Sequence, residues 1–467
     1  MLFDSVHLLK CIRNNWINQI DQTLRYPTIT TATTGALSKA SFSHLKQLYD
    51  SEQTAICKQA PGLSYTALHP NNLQRQNVRL VLKVFDDKTV SALDAFAKQT
   101  NCDLSGTRDF ILSIVQFWKI VNVKNPVKGI HLKDTFCEPI LGVNDHKLVW
   151  LRSFHDWLCA WEQQRIPMKQ GTLSNETMFA LKHTVATLIE LSTYLLTSSF
   201  QYVLLGKFQT DMLEFRFGQY RQMSGANYNV SVAQIIESER KLKLMSIMKL
   251  VSTSKYQLTV RDFITSCQQA TDTESNNDSV SGDCDFLLQF NSVMKECDDV
   301  IIDDAEMSAL VFIAGYVGFK LKAKLSCIDC RINLLSEKTM ECEFPTDERF
   351  EYLSKIDRGG LTWPTDLTVD IVTQTIVVFK CLVSGKHCKD FTAADKQRSI
   401  LSQIALHRCE TVLGLSNKCC SCETPDRELA RLCIRTVSNV ALNNYTKQIA
   451  DCKTKSKTLK KLSTYVK

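Results

Sequence analysis

The stretch Leu204-Leu205-Gly206-Lys207-Phe208-Gln209-Thr210-Asp211-Met212-Leu213-Glu214-Phe215-Arg216-Phe217-Gly218-Gln219-Tyr220-Arg221 decides how this chain is read. It opens apolar, is broken by Gly206, and takes a helical rhythm from Asp211 to about Met223, where Gly225 and Asn227 can stop it. At helical spacing Asp211, Glu214, Gly218 and Arg221 share one face, with Leu213, Phe217 and Tyr220 on the neighbouring apolar face. One face can pack while two carboxylates project into a common space. Two-metal phosphoryl transfer needs that arrangement, because carboxylates must hold Mg²⁺ beside both the attacking and the leaving oxygen. Spacing alone leaves a second reading open, since two acids three apart on a helix are more often a solvated face.

Upstream, Phe200-Gln201-Tyr202-Val203-Leu204-Leu205 is short, apolar and β-prone, and reads as a strand ended by Gly206. Before it, Ser174 is placed to cap a long helix whose stripe of Met178, Leu181, Val185, Leu188 and Leu191 runs to about Leu196. The span from Leu45 to Ile140 carries helical stripes (Val78, Leu82 and Phe85; then Ile111, Ile114, Trp118 and Val121), and Leu148 to Trp161 forms another helix. The chain opens with an amphipathic helix of Val6, Leu9, Ile12 and Trp16, followed by a Thr/Ser/Ala-rich loop over residues 27–44. Downstream, TDTESNNDSVSGDCD at 271–285 is polar and acidic and reads as a disordered linker. A second helical region follows from about Asp303, broken by the stretch Asp357-Arg358-Gly359-Gly360-Leu361-Thr362-Trp363-Pro364 and closed by a basic tail.

Length and composition bound the function. A chain of 467 residues holds two to four domains, and its 44% hydrophobic and 22% charged residues are those of an ordinary globular protein. Sixteen Gly and nine Pro are few, which favours long helices over turn-rich β architecture. No apolar run reaches the roughly 18 residues of a membrane span, and no signal peptide is recognisable, so a soluble intracellular protein with no membrane partner is expected. Nineteen scattered Cys then read as buried reduced thiols. The net charge of +7 is compatible with phosphate contact without requiring it.

The segment from Gln209 to Arg221, with Gly225 and Asn227, resembles the closing catalytic motif of the P-element and THAP-domain DNA transposases. In that family the helix brings the last acid to an RNase H-like active site. The resemblance implies that Glu214 is the Mg²⁺-binding catalytic glutamate, with Asp211 three residues before it. The opening Phe3-Asp4-Ser5-Val6-His7-Leu8-Leu9-Lys10-Cys11-Ile12-Arg13-Asn14-Asn15-Trp16 resembles a second landmark of the family, in which His7, Lys10 and Arg13 are candidates to touch nucleic acid, as is Arg221. A capped surface helix is the other reading of that segment. The family's two other catalytic aspartates are expected on core strands upstream of this landmark, to which Asp4 itself belongs, along with the THAP zinc finger. The polypeptide is therefore expected to be inactive alone.

Residues 27 to about 200 resemble the family's helical insertion, which binds GTP as a cofactor. On this resemblance Trp118 would stack on guanine and Asn122 would contact it. The acid expected after the aromatic is Lys119, and an ammonium donates where guanine N1 and N2 require an acceptor. Further on, Phe312 to Leu321 and Tyr352 to Leu361 resemble the family's C-terminal region. Cys327 and Cys330 have zinc-ligand spacing, repeated by Cys419 and Cys422 about ninety residues on, with His407 and Cys409 nearby. Zinc needs four ligands, and two distant pairs are read as buried thiols before separate zinc sites.

The fold expected is mainly α: a landmark segment (1–26), an all-helical GTP-binding-like insertion (27–199), a small RNase H-like α/β remnant (200–265), a linker (266–290) and a helical C-terminal region (291–467). The function expected is that of a truncated or domesticated DNA transposase, nuclear, with DNA and full-length transposase subunits as partners. The alternative is a non-catalytic nucleotide-, DNA- or protein-binding module derived from a transposon.

Overall fold

The computed structural model describes residues 2–28, 37–165, 170–225, 229–255, 290–336, 347–394, 396–415 and 426–465. The acidic stretch 271–285 lies outside them. The fold is mainly α, as the sparse Gly and Pro predict, and among the described residues the one sheet has two strands. The chain divides into two compact units, Met1–Lys207 with Phe286–Lys467, and Phe208–Asp285.

In the first unit the opening helix Ser5–Asn18 is capped by Asp4, whose carboxylate accepts from Val6 N. Leu9, Ile12 and Trp16 are fully buried on its inner face. An antiparallel hairpin follows, pairing Thr23–Pro27 with Leu37–Ser41 in the register Thr23↔Ser41 and Tyr26↔Ser38. A two-stranded hairpin is marginal in water. This one is built into an aromatic core: Tyr26 packs on Phe110, Trp157 and Trp161, and Trp16 on Phe42 and Phe110. The indole N–H groups of Trp16, Trp157 and Trp161 donate to the carbonyls of Ala40 (3.0 Å), Pro27 (2.7 Å) and Arg25 (2.7 Å). Three of the hairpin's carbonyls are thereby satisfied by side chains rather than by further strands.

Several expectations change here. The loop expected over residues 27–44 contains the second strand and the start of the helix Phe42–Ser51. The strand Leu37–Ser41 is small and polar, with only Ala40 buried, so no apolar alternation announced it. The strand expected at Phe200–Leu205 reduces to one bridge between Val203 and Ile140, with Phe200 and Tyr202 exposed. No described strand lies alongside to extend it. A Cβ on Gly206 would sit 2.8 Å from the Val123 carbonyl oxygen that its own N–H binds, so this turn requires glycine. The helical span from Leu45 to Ile140 is broken into pieces, the longest being Asp87–Thr100 and Ser105–Val121. The long helix is Asn175–Thr197, capped by Ser174 as its sequence predicts.

The helix Asp366–Val383 is the centre of the C-terminal part, burying Val372, Ile376 and Phe379 against Val311, Leu401 and Ile434. The break at 357–364 is held by Asp357, whose carboxylate accepts from Gly360 N, Leu361 N and Trp363 Nε1. The basic end of the chain is the last part of a 40-residue helix, Asp426–Tyr465. That helix returns to the N-terminal part: Asp451 accepts from the Tyr49 hydroxyl (2.5 Å) and from Tyr65 N. Glu306, paired with Lys380, accepts from Ile56 N, and Tyr352 donates to the Gln59 carbonyl. The 52–60 loop receiving these contacts is tied internally by Glu52, which accepts from Gln59 N (2.7 Å) and Ala60 N (3.3 Å).

Burial pushes the Glu52 carboxyl from its ordinary 4.5 up to about 7. The folded protein holds this proton more tightly than the unfolded chain. The stability it contributes is present below about pH 4.5 and is lost as pH rises through about 7. Glu52→Gln is expected to remove about 3 kcal/mol of that fall. Denaturant unfolding between pH 4.5 and 8 measures it, and parallel profiles for the two proteins would refute the assignment.

Candidate functional site

In the second unit, Asp211–Met223 is helical as expected, with Asp211 and Glu214 in its first turn, where the helix dipole favours negative charge. Glu214 is exposed and Asp211 half-buried. The Thr210 hydroxyl lies 3.5 Å from Glu214 Oε1. The rest of the helix is fixed from its other side. Arg216 donates to Glu239 through Nε (2.8 Å) and Nη2 (2.5 Å), and the Tyr220 hydroxyl donates to the same carboxylate. Glu239 belongs to the helix Val232–Lys255. This two-pronged pair holds the Glu239 carboxyl below its ordinary range.

The apolar face expected to pack does so only at Tyr220. Leu213 and Phe217 are exposed, as are Met212 and Phe215. The polar clamp through Arg216 and Tyr220 joins the two helices where an apolar seam was expected. Arg221 is exposed, and Asn227 lies outside the described residues. Nothing in the spacing of Arg216 and Glu239, 23 residues apart, signals their pairing.

In the first unit, His7 is exposed, with Nε2 3.9 Å from the Asp4 carboxylate one turn earlier. Lys10 and Arg13 are buried. Arg13 donates to Asn14 Oδ1 and, at 2.8 Å, to the Arg75 carbonyl.

The residues around Trp118 form a charge cluster. Trp118 itself is half-buried, and the Asn122 carbonyl accepts from Lys128 Nζ (3.0 Å). Lys119 Nζ lies 2.7 Å from Asp87 Oδ1 and 3.2 Å from Asp134 Oδ2. Arg358 meets the same two acids at 2.5 and 2.6 Å. Asp134 is 7% exposed, and its Oδ1 also accepts from Phe136 N. Lys119, standing where the sequence suggests an acid, is thus balanced by two carboxylates that an arginine from the 357–364 stretch shares. Asp86, the helix-capping neighbour, has its carboxyl raised by burial and by the Asp87 charge.

Cys327 precedes the short helix Ile328–Leu334 and Cys330 is buried within it; Cys419 and Cys422 lie outside the described residues. On the helix Gln397–Leu413, His407 is exposed while Cys409 is buried, its thiol pushed up to about 12 by desolvation. These two side chains do not converge.

Residues 296–425 match the family model described as DNA transposase THAP9, C-terminal domain. Among solved structures the chain is similar to the Drosophila P element transposase strand transfer complex, at a TM-score of 0.40 and 17% identity. That similarity covers 52% of this chain and spans about half, 50%, of the other. No curated protein matches the sequence.

Removing the Asp134 charge leaves Lys119 and Arg358 short of a buried partner, whereas Asp87 is one-third exposed. Asp134→Asn is expected to cost about 2–3 kcal/mol and Asp87→Asn less than about 1. Urea midpoints of the two variants check this, and equal costs would count against Asp134 as the centre of the cluster.

Proposed function

We propose, on the match of residues 296–425 to the C-terminal domain of a THAP-type DNA transposase, that this chain is a transposase-derived DNA-binding protein of the P-element/THAP type, nuclear in location. The match of that domain carries the reading. On the helix Asp211–Met223, Glu214 and Asp211 are the residues that would hold Mg²⁺, as the resemblance implies. Carboxylate oxygens suit a hard divalent ion, and the exposed first turn leaves Glu214 accessible, so these residues fit as part of a metal set. Bound there, Mg²⁺ would supply charge neutralisation at the scissile phosphate. The Arg216–Glu239 pair holds the helix that presents them.

Two carboxylates do not complete two octahedral ions, each of which takes about six oxygen ligands. We therefore read the polypeptide, by itself, as a truncated or domesticated form that binds DNA without cutting it, with full-length transposase subunits as partners. The alternative, a module that binds nucleotide or protein, is weaker at the expected GTP site. Guanine N1–H and its amino group need an acceptor, and Asp87 and Asp134 already receive Lys119 and Arg358. The residues present do not fit a guanine-selective site.

The purified 467-residue polypeptide is expected to bind duplex DNA with a Kd of roughly 10⁻⁴–10⁻⁶ M at physiological salt, weakening as salt rises. It should leave supercoiled plasmid intact in Mg²⁺ or Mn²⁺. Fluorescence anisotropy and a nicking assay test the two statements, and nicking that is lost in Glu214→Ala would overturn the second. Titration of the same protein with GTP and ATP should give weak binding with little preference, since stacking on Trp118 is tolerant of base identity. Micromolar GTP binding with strong rejection of ATP would sink the nucleotide argument.

A further inference from the structure

Arg13 sits in the core with no acid among the described residues to balance it. The residue is fully buried, and its Nη1 has no hydrogen-bond partner. Its other nitrogens reach only neutral acceptors, Asn14 Oδ1 and the Arg75 carbonyl. Among the described residues no carboxylate lies within 4.0 Å of Arg13, Arg75 or Lys10. The neighbours are cations instead. Lys10, one turn earlier on the same helix, is buried as well, and burial, with the Arg75 charge adding to it, lowers the Arg13 pKa to about 10. A buried guanidinium with an idle N–H is costly, and a second cation beside it adds to the cost. An oxyanion would relieve both.

The cover over this cluster is thin. It is the turn at residues 71–77, where Asn71, Asn72, Gln76 and Asn77 are exposed and Leu73 is 86% exposed. Arg75 lies across it, with Nη1 donating to Asn18 Oδ1 at 2.7 Å and its carbonyl occupying Arg13 Nη2. A shift of this one turn exchanges a neutral carbonyl for a ligand oxygen and frees two guanidinium forks, whose planar donor geometry suits phosphate.

We propose that Arg13 and Arg75, with Lys10 beside them, form a binding site for a phosphate oxyanion at the junction of the helix Ser5–Asn18 and the turn at residues 71–77. The site takes either a nucleic-acid backbone phosphate or free phosphate, and only the first source rests on the DNA-binding reading above.

The test is thermal unfolding of the full chain in chloride and in inorganic phosphate at matched ionic strength, followed by anisotropy with a DNA duplex. Phosphate is expected to raise Tm by about 2–4 °C. Arg75→Gln, at a half-buried position on the turn, should fold and lose most of that shift. Arg13→Met should melt in chloride at or above the wild-type temperature and show no phosphate shift, because an apolar side chain removes an unbalanced buried charge. Should Arg13→Met fail to fold, Arg75→Gln decides alone. A DNA affinity that falls by about tenfold in Arg75→Gln identifies the backbone phosphate as ligand. Unchanged DNA affinity with the phosphate shift lost identifies free phosphate. A wild-type Tm indifferent to phosphate, or a shift retained in Arg75→Gln, overturns the site even where DNA binding persists. Absence of DNA binding with the shift intact overturns the DNA reading and leaves the site standing.

Discussion

Asp87 and Asp134 each pair in charge with a lysine from the N-terminal helices and with an arginine from the C-terminal domain, and the first compact unit depends on that shared pairing. Lys119 and Arg358 are more than two hundred positions apart, yet neither is balanced without the same two acids. A buried carboxylate such as Asp134 is tolerable only while both cations remain. Two further ties between these parts have the same character. Asp451 receives Tyr49 and Tyr65, and Glu306 receives Lys380 and Ile56 N. Each is a carboxylate from one part of the sequence that satisfies donors from the other.

Inside this frame the hairpin is held by three indoles rather than by a larger sheet. Trp16, Trp157 and Trp161 are buried, and each spends its single N–H on a strand carbonyl. Their rings fill the core while their polar edges replace absent strands. All three tryptophans are core residues.

Much of the helical architecture was legible in the sequence. The Ser174 cap, the stripe of Met178, Leu181, Val185 and Leu188, and the helix from Asp211 to Met223 were read from spacing, because period and capping are local properties. The Phe200–Leu205 run was misread as a strand because apolar, β-prone composition does not supply a neighbouring strand to pair with. Leu37–Ser41 was missed for the opposite reason: it pairs well but buries only Ala40, so its alternation is silent.

The sequence by itself determined the family resemblance, the helical class and the identity of the acids on the Asp211–Met223 helix, since motif order and periodicity survive in one dimension. Only the tertiary structure decided which charges are balanced. Lys119 reads in the sequence as a lost acid and in the fold as the partner of two acids. Arg13 reads as a surface contact and lies at the core. Arg216 carries no signal at all until Glu239, 23 residues away, closes on it. Charge compensation acts through distances of a few ångströms between residues far apart in the chain, and periodicity holds no record of those distances.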